Sequence, residues 1–289
     1  MNNLFFSSSC FKTNKFNELI VLAEKNQVYN LELSGNLVYE PQVEMKLKKE
    51  KRFNWLIHNY FPRPKQDFVL NLASKNKKIR LKSINHCLKS IKLCQKLKIP
   101  YFSVHAGFLA DFRPVDLGGS QSRKPFINRG QGLRLFKNSV LQLLGFIEQT
   151  GQLDLLIENN VCSKKNLIHG KNKLYLLADL KETISFFNQM QNFKNLGLLL
   201  DCGHLNVSSR QLGFDNYKFI DKLADKIQAF HLNANNGLED QNRLFTKKEW
   251  FIRLLKKPKF FKIPKVIEVS NNYKLSDILK LKTVLTKIL

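Results

Sequence analysis

Short apolar runs alternate with longer stretches of three- to four-residue hydrophobic spacing along the whole 289-residue chain. The runs "NLFFSSS", "VYNLELSG", "FNWLIHN", "PYFSVHAG", "LDLLIENN", "LGLLLDCGH", "IQAFHLNAN" and "PKVIEVSNN" predict eight buried strands. Between them, "KFNELIVLAEKN", "LKSINHCLKSIKLCQKL", "GLRLFKNSVLQLLGFIEQ", "LADLKETISFFNQM" and "KLSDILKLKTVL" predict amphipathic helices. Eight strands alternating with helices are what a (β/α)8 TIM barrel of the α/β class requires, and the length suits one. A doubly wound open sheet is the alternative, and the lack of GxGxxG after the first strand weighs against its dinucleotide-binding version. No short-period repeat and no Pro-, Gly- or Ser-rich linker divides the chain, so residues 1–289 are expected to form one domain. The long stretch "GFLADFRPVDLGGSQSRKPFINRGQG" after the fourth strand would overhang the active face of a barrel. Its Arg113, Arg123 and Lys124 either hold a phosphate or are solvated rim charges.

Composition changes this picture little. A hydrophobic content of 43% supplies a globular core, and the net charge of +25 suits either a polyanion partner or simple Lys-rich bias. The lysines are spread along the chain rather than blocked together, which favours bias. Five cysteines without a CxxC pair or an even framework fit a reducing compartment. The N-terminus lacks a signal-peptide pattern, and no apolar run approaches the roughly 20 residues of a membrane span. A cytoplasmic protein without membrane contact is expected.

The strand ends carry the chemistry. Successively they place Glu32, His58, His105, Glu158, Asp201 with His204, His231 and Glu268. In a barrel these ends converge on one face, where active sites are built. Convergent carboxylates repel one another unless protonated or bridged, and a divalent cation is the simplest bridge. His86 and His169 fall in helical or loop contexts and read as structural. Glu32 reads equally as a substrate contact or a structural ion pair.

On "HNYFP…FVLNLAS", "VHAGF", "IENN", "DCGHLN", "HLNANNG" and "IEVS", in that order, the chain resembles the xylose isomerase-like TIM barrels over nearly its whole length. That superfamily spans sugar isomerases and epimerases and endonuclease IV. The resemblance implies a divalent metal (Mn²⁺, Mg²⁺, Co²⁺ or Zn²⁺) on Glu158, Asp201, His231 and Glu268. It implies Glu158 and Glu268 as catalytic acid and base, with His58, His105, His204, Asp240 and Asn242 binding substrate. In the nuclease branch three zinc ions take nine ligands, and this chain matches eight of those positions. His58, His105 and Glu158 would form a further site, and His204 with Asp240 would begin a third. The nuclease pattern Asp-x-His is replaced here by Asp240-Gln241-Asn242, and an amide is a poor zinc ligand. The expected activity is therefore isomerisation or epimerisation of a sugar, sugar phosphate or related polyhydroxy carbonyl compound. The alternatives are cleavage of abasic-site DNA, with nucleic acid as partner, and a non-catalytic binding barrel.

Overall fold

In the computed structural model, which describes residues 3–116 and 125–287, the chain winds once around a closed parallel barrel. Strands β1 (Leu4–Ser7), β2 (Asn30–Leu33), β3 (Asn54–His58), β4 (Tyr101–His105), β5 (Asp154–Glu158), β6 (Leu196–Asp201), β7 (Ile227–Leu232) and β8 (Lys265–Ile267) pair in sequence order. β8 closes back onto β1. Each predicted run contains one strand. Helices α1 (Phe16–Lys25), α2 (Val43–Lys49), α3 (Lys77–Leu97), α4 (Arg129–Thr150), α5 (Leu180–Gln189), α6 (Cys202–Leu212), α7 (Asn216–Leu223), α8 (Trp250–Leu255) and α9 (Leu275–Thr286) lie in the connections.

The barrel closes because its strands are buried on both faces. Leu31, Ile57, Phe102, Leu155, Ile157, Leu199, Phe230 and Ile267 are all fully buried, as the unbroken apolar runs require. Interior space is filled by side chains, so the fold supplies a plugged platform and not a pore.

Several elements differ from the sequence reading. The run ending "DCGH" is strand only to Asp201; α6 starts at Cys202. The Asp201 carboxylate accepts the His204 backbone N–H at 2.7 Å, which caps the helix and stops the strand. The short helices α2, α7 and α8 were not foreseen, since six to eight residues give too few turns for periodicity to register. Arg123 and Lys124 lie outside the described residues. Among those described, no helix is long and apolar enough to cross a membrane.

Candidate functional site

Strand register brings the functional side chains to the same end of the barrel. His105 pairs with Glu158 across β4 and β5, and Asp201 with His231 across β6 and β7. Glu268 follows β8 by one residue, its N–H bonded to the Leu232 carbonyl. Glu158, Asp201, His231 and Glu268 each bring one ligand atom into a group whose members lie within 4.8 Å of one another. His231 Nδ1 is the hub, 2.8 Å from Glu268 Oε2, 3.4 Å from Glu158 Oε1 and 3.8 Å from Asp201 Oδ2.

Glu158 is shared with a second group of His58, His105 and Glu158. Its Oε2 stands 3.2 Å from His58 Nε2 and 2.9 Å from His105 Nδ1. His204 Nε2 lies 3.3 Å from Asp240 Oδ2, while His204 Nδ1 donates to the Asn159 carbonyl at 3.0 Å. Asn242 is not brought to this cluster's cavity; its backbone has φ +44° and its Oδ1 is buried without a hydrogen-bond partner. Glu32 meets His231 Nε2 at 2.9 Å beneath the cavity, so of its two readings the ion pair holds. His86 packs against Tyr60 and Phe68 as a structural residue.

The charge balance follows from burial. Desolvation pushes the Glu158 carboxyl up, but the imidazoles of His105, His58 and His231 gathered around it outweigh that and hold it well below the usual range. Burial raises Glu268 as well, yet the His231 charge 2.8 Å away brings it down to about 2. Asp201 is raised to about 7, mainly by burial. His58 is lowered to about 3 by burial and stays neutral, with Nδ1 on Ser103 Oγ at 3.0 Å. Burial disfavours the charged form of His231, but Glu32 and Glu268 raise it well above its ordinary value. No well-formed hydrogen bond reaches either Glu158 oxygen or either His231 nitrogen. Buried ionisable atoms without such partners are costly, and a divalent cation beside His231 Nδ1 and Glu158 Oε1 would answer both. The residues fit a metal, and three carboxylates with one imidazole suit Mn²⁺, Mg²⁺, Co²⁺ or Zn²⁺.

Asparagines hold this frame, and the sequence reading gave them no role. Asn159 clamps β6, its Oδ1 accepting the Asp201 N–H at 2.9 Å and its Nδ2 donating to the Asp201 carbonyl at 3.1 Å. Asn160 Nδ2 donates to the carbonyls of Ala106, Gly107 and Leu176. Asn233 Nδ2 donates to Asp201 Oδ2 at 3.2 Å. A Cβ at position 203 would overlap Asn233 Oδ1, which explains the glycine of "DCGH". Asn71, from "FVLNLAS", exchanges hydrogen bonds with Phe108 and also donates to Ala110 and Asp111, bracing the segment after β4.

Above the cluster lies a cavity of about 600 Å³. His58, His105, His204, Asp240 and Glu268 reach it from below, and Tyr60, Phe68, Phe108, Phe112 and Tyr175 wall it. Its two described lining cations are engaged. The Arg63 guanidinium forks onto Asp67 and donates to the Gly35 carbonyl, and Lys165 lies 3.6 Å from Glu239.

Comparison with known proteins identifies the family and the fold. The family described as xylose isomerase-like TIM barrel matches residues 40–281. A probable endonuclease 4 of Aquifex aeolicus (strain VF5) is 28% identical over 217 residues, covering 70% of this chain and 67% of that protein. A D-tagatose 3-epimerase-like protein superposes with a TM-score of 0.73 at 17% identity, covering 99% of this chain and 96% of that one. The IolI protein, solved with a zinc atom, gives 0.69 at 14% identity over 99% and 97%. At these identities the structural likeness speaks for the fold alone.

Proposed function

The chain belongs to the xylose isomerase-like TIM-barrel family, and from that footing we propose that it is a metal-dependent isomerase or epimerase of a sugar or sugar phosphate. Sugar epimerases and endonuclease 4 are both among its relatives. The observation that carries the choice is the walled cavity. At about 600 Å³ it falls in the range of small-molecule sites, about 300–1,000 Å³. Aromatic side chains on its walls accept the apolar face of a sugar ring, and the imidazoles of His58, His105 and His204 with Asp240 offer hydroxyl partners. A duplex backbone needs several uncommitted Lys or Arg contacts, and both described cations of this cavity are already paired.

Glu158, Asp201, His231 and Glu268 would hold the cation. What it supplies when bound is Lewis acidity toward a carbonyl oxygen, which makes the neighbouring C–H acidic. Glu268, with an 18% exposed side chain reaching the cavity, is placed to take that proton. Glu158, 1% exposed, enclosed by His58, His105 and His231 and outside the cavity lining, is the second carboxylate and would act chiefly by holding the cation. His204, fixed by the Asn159 carbonyl, presents Nε2 toward Asp240 and orients a hydroxyl. Aromatic walls exclude water from the deprotonated substrate.

The test is solvent-deuterium incorporation next to the carbonyl across a panel of ketoses, aldoses and their phosphates, with metal content measured in parallel. Incorporation that needs the metal supports the reading; none across the panel rejects it. A second reading, cleavage of abasic-site DNA, is favoured by the His58–His105–Glu158 group and by the endonuclease 4 relative. It requires strong cleavage by the zinc-loaded, unmodified protein. Asn242, standing where the nuclease pattern has His, argues for no such cleavage.

A further inference from the structure

We infer that Glu32 is a positioning residue for the cation site: its carboxylate, 2.9 Å from His231 Nε2, faces that nitrogen and so commits Nδ1 of the ring to the ligand group. The inference rests on the metal-centre reading above and adds the ligating atom and the residue that selects it.

Glu32 lies in β2, in register with Ser7 of β1 and Leu56 of β3, and is fully buried. Leu31 and Leu33 on either side are fully buried too. It does not line the cavity, and no hydrogen bond of good geometry reaches either of its oxygens. A carboxylate enclosed this way is expensive unless a charged or polar partner answers it. The partner at hand is His231 Nε2, 2.9 Å from Oε1.

A neutral imidazole has one N–H and one lone pair, so His231 can serve only one side as a ligand. Two groups compete for it. On the upper side Nδ1 faces Glu268, Glu158 and Asp201. On the lower side Glu32, His58 and His231 also bring atoms within 4.8 Å of one another. The lower group loses because both His58 nitrogens already have other neighbours: Nε2 stands 3.2 Å from Glu158 Oε2, and Nδ1 is engaged by Ser103. Three carboxylates above outweigh one below in attracting a cation. With a cation bound above, the lone pair is at Nδ1 and the hydrogen at Nε2, on the side that faces Glu32. A carboxylate behind a ligating histidine fixes ring orientation and raises the basicity of the ligating nitrogen.

The experiment compares wild type, Glu32→Gln and Glu32→Ala by zinc titration against a competing chelator. Melting temperatures of the metal-free proteins and ¹⁵N spectra of the zinc-loaded imidazoles accompany it. Zinc should bind His231 through Nδ1, with Nε2 protonated and hydrogen-bonded. Affinity should fall from wild type to Gln to Ala, the full loss amounting to about 10–100-fold. Gln keeps an acceptor for Nε2–H but not the charge, which places it between. The metal-free Glu32→Gln protein should melt no lower than wild type, because it removes one of four crowded carboxylates. Affinity within twofold of wild type in the Gln and Ala variants overturns the inference and leaves the metal reading standing. So does an affinity loss in Glu32→Gln that only mirrors a lower metal-free melting temperature. Ligation of His231 through Nε2 overturns it as well. Failure of wild type to bind zinc overturns both.

Discussion

Glu158 and Glu268 differ in exposure, and their substitutions should differ accordingly. Glu268 reaches the cavity, so Glu268→Gln should retain part of the metal and lower deuterium exchange by about 10²–10⁴-fold, since an amide accepts no proton at neutral pH. Glu158 joins both ligand groups. Glu158→Gln should therefore lose metal as well as exchange, measured by elemental analysis beside the exchange assay. His204→Asn should slow exchange while metal content holds, because His204 belongs to neither group. Equal metal contents and equal exchange rates in all three variants would place the acid and base elsewhere. Gly203 offers a check on the frame instead of the chemistry. Gly203→Ala forces a methyl against Asn233 Oδ1, and overpacking of this kind costs about 1–3 kcal/mol. Denaturant titration should show that loss.

The helices contribute through how they seat the walls of the cavity. His86, on α3, sits among the rings of Tyr60 and Phe68, with centroids 5.3 and 5.9 Å away. Burial, aided by the Lys82 and Lys89 charges on the same helix, lowers its pKa from 6.5 to about 4. Between those values the unfolded chain binds a proton that the folded chain refuses. Stability should therefore fall as pH drops from about 6.5 toward 4, by up to about 3 kcal/mol. In His86→Leu this part of the acid sensitivity should vanish, which thermal melts of both proteins across pH 4–7 would reveal. Parallel pH profiles in the two proteins would refute the assignment. Tyr60 and Phe68 line the cavity, so the same acid loss should loosen that wall first.

At the scale of the whole molecule, the folded state concentrates charge that the unfolded chain disperses. Glu32, Glu158, Asp201 and Glu268 are gathered around His58, His204 and His231 at the end of one barrel. Only the folded chain assembles this group, so a bound cation stabilises it by mass action, about 2.7 kcal/mol at a hundredfold excess over Kd. Chelation should lower the melting temperature, and Mn²⁺ or Zn²⁺ should restore it. A melting temperature indifferent to both would argue against a cation site. The overall charge of +25 predicts weak, salt-sensitive DNA binding without cleavage. Gel retardation that disappears with added salt, alongside intact abasic-site DNA, is the expected pair of results. Asn242→His should not by itself create a nuclease if the cavity is built for a sugar.

Much of this was legible in the chain because a barrel repeats one local rule. Each unbroken apolar run is a strand buried on both faces, and its last residues sit at one end of the barrel, so His105, Glu158, Asp201 and His231 could be assigned to that end from order alone. Glu268 lay one residue past its strand and was found by the same rule. Tertiary structure decided what order cannot carry. Whether Glu32 meets substrate or His231 depends on depth within the barrel, which a strand's sequence does not record. The clamps by Asn159, Asn160 and Asn233 join residues from different strands and loops, so no local pattern announces them. Asn242 neighbours Asp240 in the chain, yet only Asp240 reaches the cavity. The walls come from loops, whose path is set by long-range hydrogen bonds such as those of Asn71 and not by periodicity. Sequence fixes which groups arrive at the barrel's end; packing across strands fixes which of them face one another.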